Sequence, residues 1–200
     1  MNTPIDLLGL LATTPLELIS FILSIATVVL NIRQLHWAWL FAILSSATYA
    51  VVFYDAKLYG DMGLQAVFIT VSVWGWYQWL HGGASRAPLA VTTCTQKGWA
   101  YSAIGWIIGF AILAIFLDNY TDTDVPNIDG FLTAGSLVGQ VLLSRKKVEN
   151  WIVWIIVDIL YVGLYVYKGL MLTAVLYALF VGLAGIGLVV WQRDAARKQA

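Results

Sequence analysis

Residues 151–167 read WIVWIIVDILYVGLYVY, and this stretch decides what kind of protein the chain forms. It contains one charged side chain, Asp158, and no proline. A helix of about 17 to 25 apolar residues crosses the roughly 30 Å hydrocarbon core of a bilayer. The stretch therefore predicts a transmembrane helix with a carboxylate near its middle.

The polar and aromatic residues of this helix share one face. Trp151, Trp154, Asp158, Tyr161 and Tyr165 are spaced by three and four residues, which places them in one stripe along a helix. A charge at this depth costs about 2.5 to 3.5 kcal/mol on insertion scales, so it faces a cavity or a partner rather than lipid. We expect a functional carboxylate; the structural alternative is a protonated group or one bonded to a neighbouring helix.

The rest of the chain has the composition of a membrane protein. Of its 200 residues, 60% are hydrophobic and 11% charged, with a mean hydropathy of +0.81. A soluble domain would need more charge to cover its surface. We predict an all-α membrane protein, one membrane domain over residues 1–200, with seven transmembrane helices. Their predicted ranges are 15–32, 38–54, 62–80, 99–117, 129–144, 151–167 and 170–191.

The basic residues indicate an orientation. Nine of them fall in connections on one side of the predicted bundle, hereafter the basic end, and only Lys57 and Lys168 fall on the other. The positive-inside rule then places the N-terminus outside and the C-terminus in the cytoplasm. The nine are Arg33, Arg86, Lys97, Arg145, Lys146, Lys147, Arg193, Arg197 and Lys198. The formal net charge is zero, so no nucleic-acid partner is expected.

Metal, cofactor and enzyme chemistry are not expected. The chain has one cysteine, Cys94, and two histidines, which is too few for a cysteine or histidine metal site. Asp122, Asp124 and Asp129 lack the spacing and closing glutamate of an EF-hand, so we expect a solvated acidic loop. No intramembrane catalytic motif is present. A retinal protein would need a lysine inside the last helix, and residues 170–191 contain none. A retinal-type seven-helix protein and a SWEET-type sugar carrier are therefore only distant alternatives.

A shift of 112 residues aligns residues 37–79 with 149–191 without a gap. The repeat predicts a first three-helix unit over 15–80, a linker helix over 99–117 and a second unit over 129–191. Carriers with parallel repeats bind substrate near the midplane, between the units. The alternative is seven helices that share only a membrane composition. The nine identities are Trp39/Trp151, Ile43/Ile155, Tyr49/Tyr161, Leu58/Leu170, Leu64/Leu176, Ala66/Ala178, Phe68/Phe180, Gly75/Gly187 and Trp79/Trp191.

The repeat brings a second face toward the stripe on residues 151–165. It includes Ser46 and Tyr49, but it lacks the charge. Aromatic faces stack on flat rings and attract cations, at about 0.5 to 2 kcal/mol per contact. Glutamines at membrane depth both donate and accept hydrogen bonds. We therefore predict a site for a flat, cationic or hydrogen-bonding heterocycle, formed by Trp151, Trp154, Asp158, Tyr161, Gln65, Gln140, Ser136, Ser46 and Tyr49.

Several motifs together resemble the bacterial Pnu vitamin transporters, in particular the PnuC-type nicotinamide riboside (nicotinamide mononucleotide) branch. They are LYGDMGLQ at 58–65, GWYQW at 75–79, RKKVENW at 145–151 and the WxxWxxxDxxY pattern of 151–161. The resemblance implies a SWEET-like 3+1+3 fold, a homotrimer, and uptake of this vitamin B3 precursor by facilitated diffusion, followed by phosphorylation in the cytoplasm. It also implies a substrate site at Trp151, Trp154, residue 158, Gln65 and Gln140.

The chain departs from this family pattern at Asp158, where nicotinamide riboside members commonly have asparagine. A carboxylate pairs with the pyridinium of nicotinamide riboside or with the thiazolium of thiamine. It does not donate to a carboxamide oxygen, as asparagine does, unless it is protonated. Nicotinamide riboside is the first expectation, and thiamine is the alternative.

Overall fold

The computed structural model describes residues 5–7, 11–13, 15–55, 59–121, 123–169 and 171–197. Some residues used in the predictions lie outside these ranges: Lys57, Leu58, Asp122, Leu170 and Lys198.

Within the described ranges, seven α-helices follow a short antiparallel pair of strands, β1 (Ile5–Leu7) and β2 (Leu11–Thr13). The helices are α1 (Pro15–Ile32), α2 (Ala38–Asp55), α3 (Tyr59–His81), α4 (Gln96–Tyr120), α5 (Pro126–Ser144), α6 (Asn150–Tyr167) and α7 (Met171–Arg197). The predicted number of helices is confirmed, whereas the two strands were not predicted. Local signals extend two of the helices: Thr95 caps α4 by accepting from the Gly98 N–H, and Pro126 begins α5.

Three of the described helical segments are long and apolar enough to cross a membrane: Gln96–Tyr120, Asn150–Tyr167 and Thr173–Arg197. Leu18–Ile32 and Ala38–Val51 are apolar but shorter. Helix α5 is more polar because it packs against α3, α4 and α6, and many of its residues are buried. A helix surrounded by other helices does not need an apolar coat toward lipid.

Helices pack mainly with their neighbours in sequence, α1 with α2, α2 with α3, α5 with α6 and α6 with α7, while α4 lies along α5. Two further contacts join distant parts of the chain: α1 with α7, and α3 with α5. We call these the α1–α7 seam and the α3–α5 seam.

The turn between α1 and α2 and the turn between α5 and α6 have the same backbone geometry at an offset of 112 residues. Gln34 and Lys146 both have positive φ, 57° and 48°. The Gln34 N–H donates to Asn31 O at 3.0 Å, and the Lys146 N–H donates to Leu143 O at 2.9 Å. The backbone hydrogen bonds next to these two in each turn also correspond at the 112-residue offset. The two turns therefore share one backbone structure although few of their residues are identical.

Four buried indoles, hereafter the tryptophan quartet, pack together at the basic end. Trp39 meets Trp79 edge-on, with ring centroids 5.4 Å apart and 86° between planes; Trp151 meets Trp191 at 5.4 Å and 89°. Trp79 and Trp191 join the two pairs at 6.0 Å. All four are buried in one core cluster. The matched residues of the repeat therefore make matched contacts.

The quartet also forms hydrogen bonds across the two seams. Trp79 Nε1 donates to Leu143 O at 3.0 Å across the α3–α5 seam. Trp191 Nε1 donates to Asn31 O and to Ile32 O, both at 3.2 Å, across the α1–α7 seam. Asn31 and Leu143 are related by the same 112-residue offset. A reciprocal contact of this kind is what a twofold axis produces.

Candidate functional site

The predicted face of α6 lies inside the bundle. Asp158 is only 3% exposed, and Trp151, two turns earlier on the same face, is also buried. On the opposite face, Ile159 is 53% exposed and Tyr167 is 71% exposed. The stripe inferred from spacing is therefore the interior side of α6, and the carboxylate does not face lipid.

At the basic end, glycines let the two indoles of this stripe approach neighbouring helices closely. A Cβ on Gly187 would lie 2.6 Å from Trp151 Cε2, so no side chain fits between α6 and α7 here. A Cβ on Gly139 would lie 3.0 Å from Trp154 Cε2, so the Trp154 indole lies directly against α5. Gln140 follows Gly139 on α5, which brings a predicted glutamine to the same level.

Gln140 connects the two halves of the chain. Its Nε2 donates to Ser72 Oγ at 3.3 Å, a buried side-chain bond from α5 to α3. Ser136, one turn before Gln140, donates from Oγ to Leu132 O at 2.9 Å within α5. Because the Ser136 hydroxyl donates to its own helix, its oxygen remains an acceptor toward the bundle interior.

Tyrosines form the other end of the predicted site. Tyr161 and Tyr165 stack with centroids 5.4 Å apart and 13° between planes. Tyr177 of α7 contacts both rings, at 4.9 Å and 5.0 Å. The Tyr161 hydroxyl lies beside Ser136 and Thr133 of α5. The result is a cluster of phenols between α5, α6 and α7, one to two turns from Asp158.

Asp158 lies between the tryptophan quartet and these tyrosines. Within the described residues, its carboxylate makes no hydrogen bond or ion pair, and its electrostatic neighbours are Tyr161 and Tyr177. Such a carboxylate suits a cationic ligand as its counter-charge, and this role of Asp158 stays a prediction.

The remaining predicted residues are less closely placed. Tyr49 of α2 is an electrostatic neighbour of Tyr165, so the two halves approach each other at the tyrosines. Ser46 on α2 and Gln65 on α3 are partly buried, and their part in the site stays a prediction. Spacing on α6 alone missed Tyr177. The repeat held a signal for it, because the 112-residue shift maps Gln65 onto Tyr177.

Two of the cavities around the described part of the bundle lie away from Asp158. One, of about 570 Å³, lies between α4, α5 and α6 and is lined by apolar residues such as Phe110, Leu132 and Leu164. The other, of about 420 Å³, lies at the basic end beside Arg145 and Lys147. Across the described part of the chain, no cluster of His, Cys, Asp or Glu suits a metal ion.

Comparison with known proteins connects this arrangement to transport. The profile of the family described as "Nicotinamide mononucleotide transporter" matches residues 14–193. The riboflavin/roseoflavin transporter RibM of Streptomyces davaonensis is 28% identical over 180 residues, which cover 88% of this chain and 83% of RibM. The nicotinamide riboside transporter PnuC of Neisseria mucosa is 29% identical over 133 residues, covering 64% of this chain and 50% of that protein.

More distant matches extend over most of the chain. PnuC of Escherichia coli is 19% identical over 189 residues, covering 80% of this chain and 77% of that protein. The crystal structure of a vitamin B3 transporter PnuC superposes with a TM-score of 0.73 at 24% identity, covering 91% of this chain and 82% of that one. At this level of identity, the structural match shows the shared fold.

Proposed function

The chain belongs to the nicotinamide mononucleotide transporter family, a family of membrane transporters, and from this membership we propose that it carries nicotinamide riboside across the bacterial inner membrane. The observation that carries the proposal is Asp158: a buried carboxylate, without an ion pair among the described residues, on the aromatic face of α6. Two of the PnuC relatives are named nicotinamide riboside transporters.

The chemistry of the site suits this substrate. The pyridinium ring carries a positive charge on a flat aromatic system, which stacks on indole or phenol faces for about 0.5 to 2 kcal/mol per contact. Asp158 supplies the counter-charge between Trp154 and Tyr161. Gln140 offers an amide, which both donates and accepts, for the carboxamide or the ribose.

Riboflavin is the second candidate, because similarity to RibM extends over 88% of this chain. Its ring system is flat and hydrogen-bonding but uncharged, so it would use the aromatic faces and not the charge of Asp158. Thiamine stays an alternative, since its thiazolium cation could pair with Asp158. The charge of the transported ring therefore separates riboflavin from the other two.

We also propose that transport uses two three-helix units that rock against each other around the linker helix α4. The matched turns at Gln34 and Lys146 and the reciprocal bonds of Trp79 and Trp191 support a 3+1+3 repeat. In this proposal the basic end is cytoplasmic, movement is facilitated diffusion, and the protein is a homotrimer. Chemical cross-linking in native membranes, followed by counting the linked subunits, tests whether the protein is a trimer.

Uptake into proteoliposomes tests the substrate. Labelled nicotinamide riboside, thiamine and riboflavin are supplied separately, with and without a proton gradient. We expect saturable uptake of nicotinamide riboside that unlabelled substrate exchanges and that the gradient does not drive. Uptake of riboflavin or thiamine without nicotinamide riboside would replace the first candidate, and uptake of none of them would refute the proposal.

Asp158→Asn tests the role of the carboxylate, with Asp118→Asn as a matched control at an exposed position on α4. A charge-assisted contact contributes about 1.5 to 3 kcal/mol, so losing it weakens the apparent affinity for a cationic vitamin about ten-fold or more. A neutral substrate should be affected less, and Asp118→Asn should behave as wild type. Unchanged uptake of every substrate by Asp158→Asn would remove Asp158 from the site.

A further inference from the structure

The two seams are equivalent by the repeat, yet the structure holds them together unequally. Each seam has one indole that donates to the last turn of a helix: Trp79 to Leu143 and Trp191 to Asn31. If nothing else joined the halves, the two seams would separate with equal ease. The connection between α3 and α4 breaks this equality.

An extended segment of that connection, residues 89–93, crosses the α3–α5 seam; we call it the strap. The Leu89 N–H donates to Trp79 O at 3.0 Å, which fastens the strap to α3. The Thr92 N–H donates to Lys146 O at 3.1 Å, and the Val148 N–H donates to Thr92 O at 3.0 Å, which fasten it to the α5–α6 turn. The strap therefore joins both halves by backbone bonds on the basic side of the quartet.

Side chains reinforce the same seam. Lys147 Nζ donates to Thr92 Oγ1 at 2.9 Å and to Thr93 O at 3.2 Å. Lys146 Nζ lies 4.4 Å from the centre of the Trp79 ring, a cation–π contact between the halves. Val91 of the strap is buried in the same core cluster as the quartet. Opening the α3–α5 seam would break all of these contacts.

The α1–α7 seam has fewer fastenings among the described residues. Besides the Trp191 indole, a side-chain bond in the described ranges joins Gln34 Nε2 to Asp194 Oδ2 at 2.6 Å. Helix α3 ends at His81, where the strap connection begins, whereas α7 continues past the corresponding Arg193 to Arg197. No extended segment in the described ranges crosses this seam.

We propose that the α3–α5 seam is the hinge of the carrier and that the α1–α7 seam is the gate that opens at the basic end. Trp191 and Gln34 are its gating residues, and the substrate leaves the site between α1 and α7. This inference rests on the rocking motion of the proposed function. Each net hydrogen bond shifts an opening equilibrium about five-fold, so the two backbone bonds between the strap and the α5–α6 turn favour opening at α1–α7 about 25-fold.

Spin-label distances test the gate without any substrate. Arg33 and Arg193 flank the α1–α7 seam, and the equivalent residues at the other seam are Arg145 and His81; all four are exposed. Each pair is replaced by cysteine and spin-labelled in a Cys94→Ser background. We expect a second, longer distance for the 33/193 pair and a single distance for the 81/145 pair. Equal distributions, or the longer population at 81/145, would overturn the proposal.

Reversible cross-links connect the gate to transport. The pair Gln34→Cys with Asp194→Cys closes the α1–α7 seam; the control pair Thr92→Cys with Lys147→Cys closes the strap contact. Oxidising the first pair should reduce uptake at least ten-fold until reductant is added, and oxidising the control pair should leave uptake within two-fold of the reduced protein. Blockage by the control pair, or free transport by the oxidised gate pair, would overturn the proposal.

The two proposals fail in different ways. If the wild-type protein and the reduced variants carry none of the three vitamins, the proposed substrates are wrong. The spin-label distances still decide in that case which seam opens.

Discussion

Replacing Gly187 by alanine tests the packing that the structure assigns to Trp151. A Cβ at this position would lie 2.6 Å from Cε2 of the indole and 2.7 Å from both Cδ2 and Cζ2. Carbon atoms prefer separations of about 3.5 to 4.0 Å. The ring has little room to move aside, because it is buried and meets Trp191 edge-on at 5.4 Å.

The magnitude follows from two opposing terms. Overpacking of this kind costs about 1 to 3 kcal/mol, and exchanging glycine for alanine inside a helix returns about 1 kcal/mol. We expect a net loss of up to about 2 kcal/mol for Gly187→Ala. In a protein of this size each kcal/mol moves Tm by about 2 to 4 °C, so Tm should fall by up to about 8 °C. Displacement of Trp151 should also reduce uptake.

Gly185→Ala, on the same helix, is the matched control, because a Cβ there would meet no atom within 4 Å apart from the local helix backbone. Its Tm should equal or slightly exceed that of wild type. The assay is thermal unfolding of the detergent-solubilised protein, followed by tryptophan fluorescence, together with proteoliposome uptake. The packing argument is refuted if Gly187→Ala melts as high as Gly185→Ala and transports normally.

Three further predictions follow. Trp79→Phe should lower the free energy of unfolding by about 1 kcal/mol, since it removes an indole N–H that donates a hydrogen bond. Trp39→Phe should lower it less, since no described residue accepts from the Trp39 N–H, and parallel thermal melts compare the two variants. Burial and the neighbouring Glu149 raise the pKa of Cys94, in the connection between α3 and α4, to about 11. Alkylation of this thiol should therefore be slow at pH 8 and should rise about ten-fold per pH unit toward pH 11. It should be faster at pH 8 in Glu149→Gln, and an unchanged rate in that variant would contradict the role of Glu149. Lys168→Met should lower the free energy of unfolding by less than about 1 kcal/mol, because the ion pairs of Lys168 with two aspartates, at 3.5 and 3.6 Å, are partly exposed. High salt screens these pairs, so the loss should be smaller there, and a larger loss that salt does not change would contradict this.

Helix positions and the inward face of α6 could be predicted because both depend on local properties. Pro15 and Ile32 bound the predicted first span and also bound α1. The stripe around Asp158 is readable because a helix repeats every 3.6 residues and lipid disfavours a charge. Boundaries shifted where a cap or a proline acts, as at Thr95 and Pro126.

Contacts between distant helices could not be predicted in the same way. Trp79 and Trp191 lie at the ends of predicted spans, and only the structure shows that both are buried in the quartet. The partner of Gly187, Trp151, depends on how α6 and α7 are rotated, which the sequence does not show. Tyr177 was missed because nothing in α7 alone separates it from a lipid-facing tyrosine.

The sequence by itself determined the class of protein, the seven helices, the buried carboxylate and the family, because composition, periodicity and motifs are properties of the linear chain. The tertiary structure decided which indoles meet, how Gln140 reaches Ser72, and why two seams related by the repeat are held unequally. The physical reason is that hydrogen bonds and edge-on ring contacts depend on distances of a few ångströms between residues far apart in the chain. The strap is the clearest case, since residues 89–93 carry no motif and acquire a role only by crossing from α3 to the α5–α6 turn.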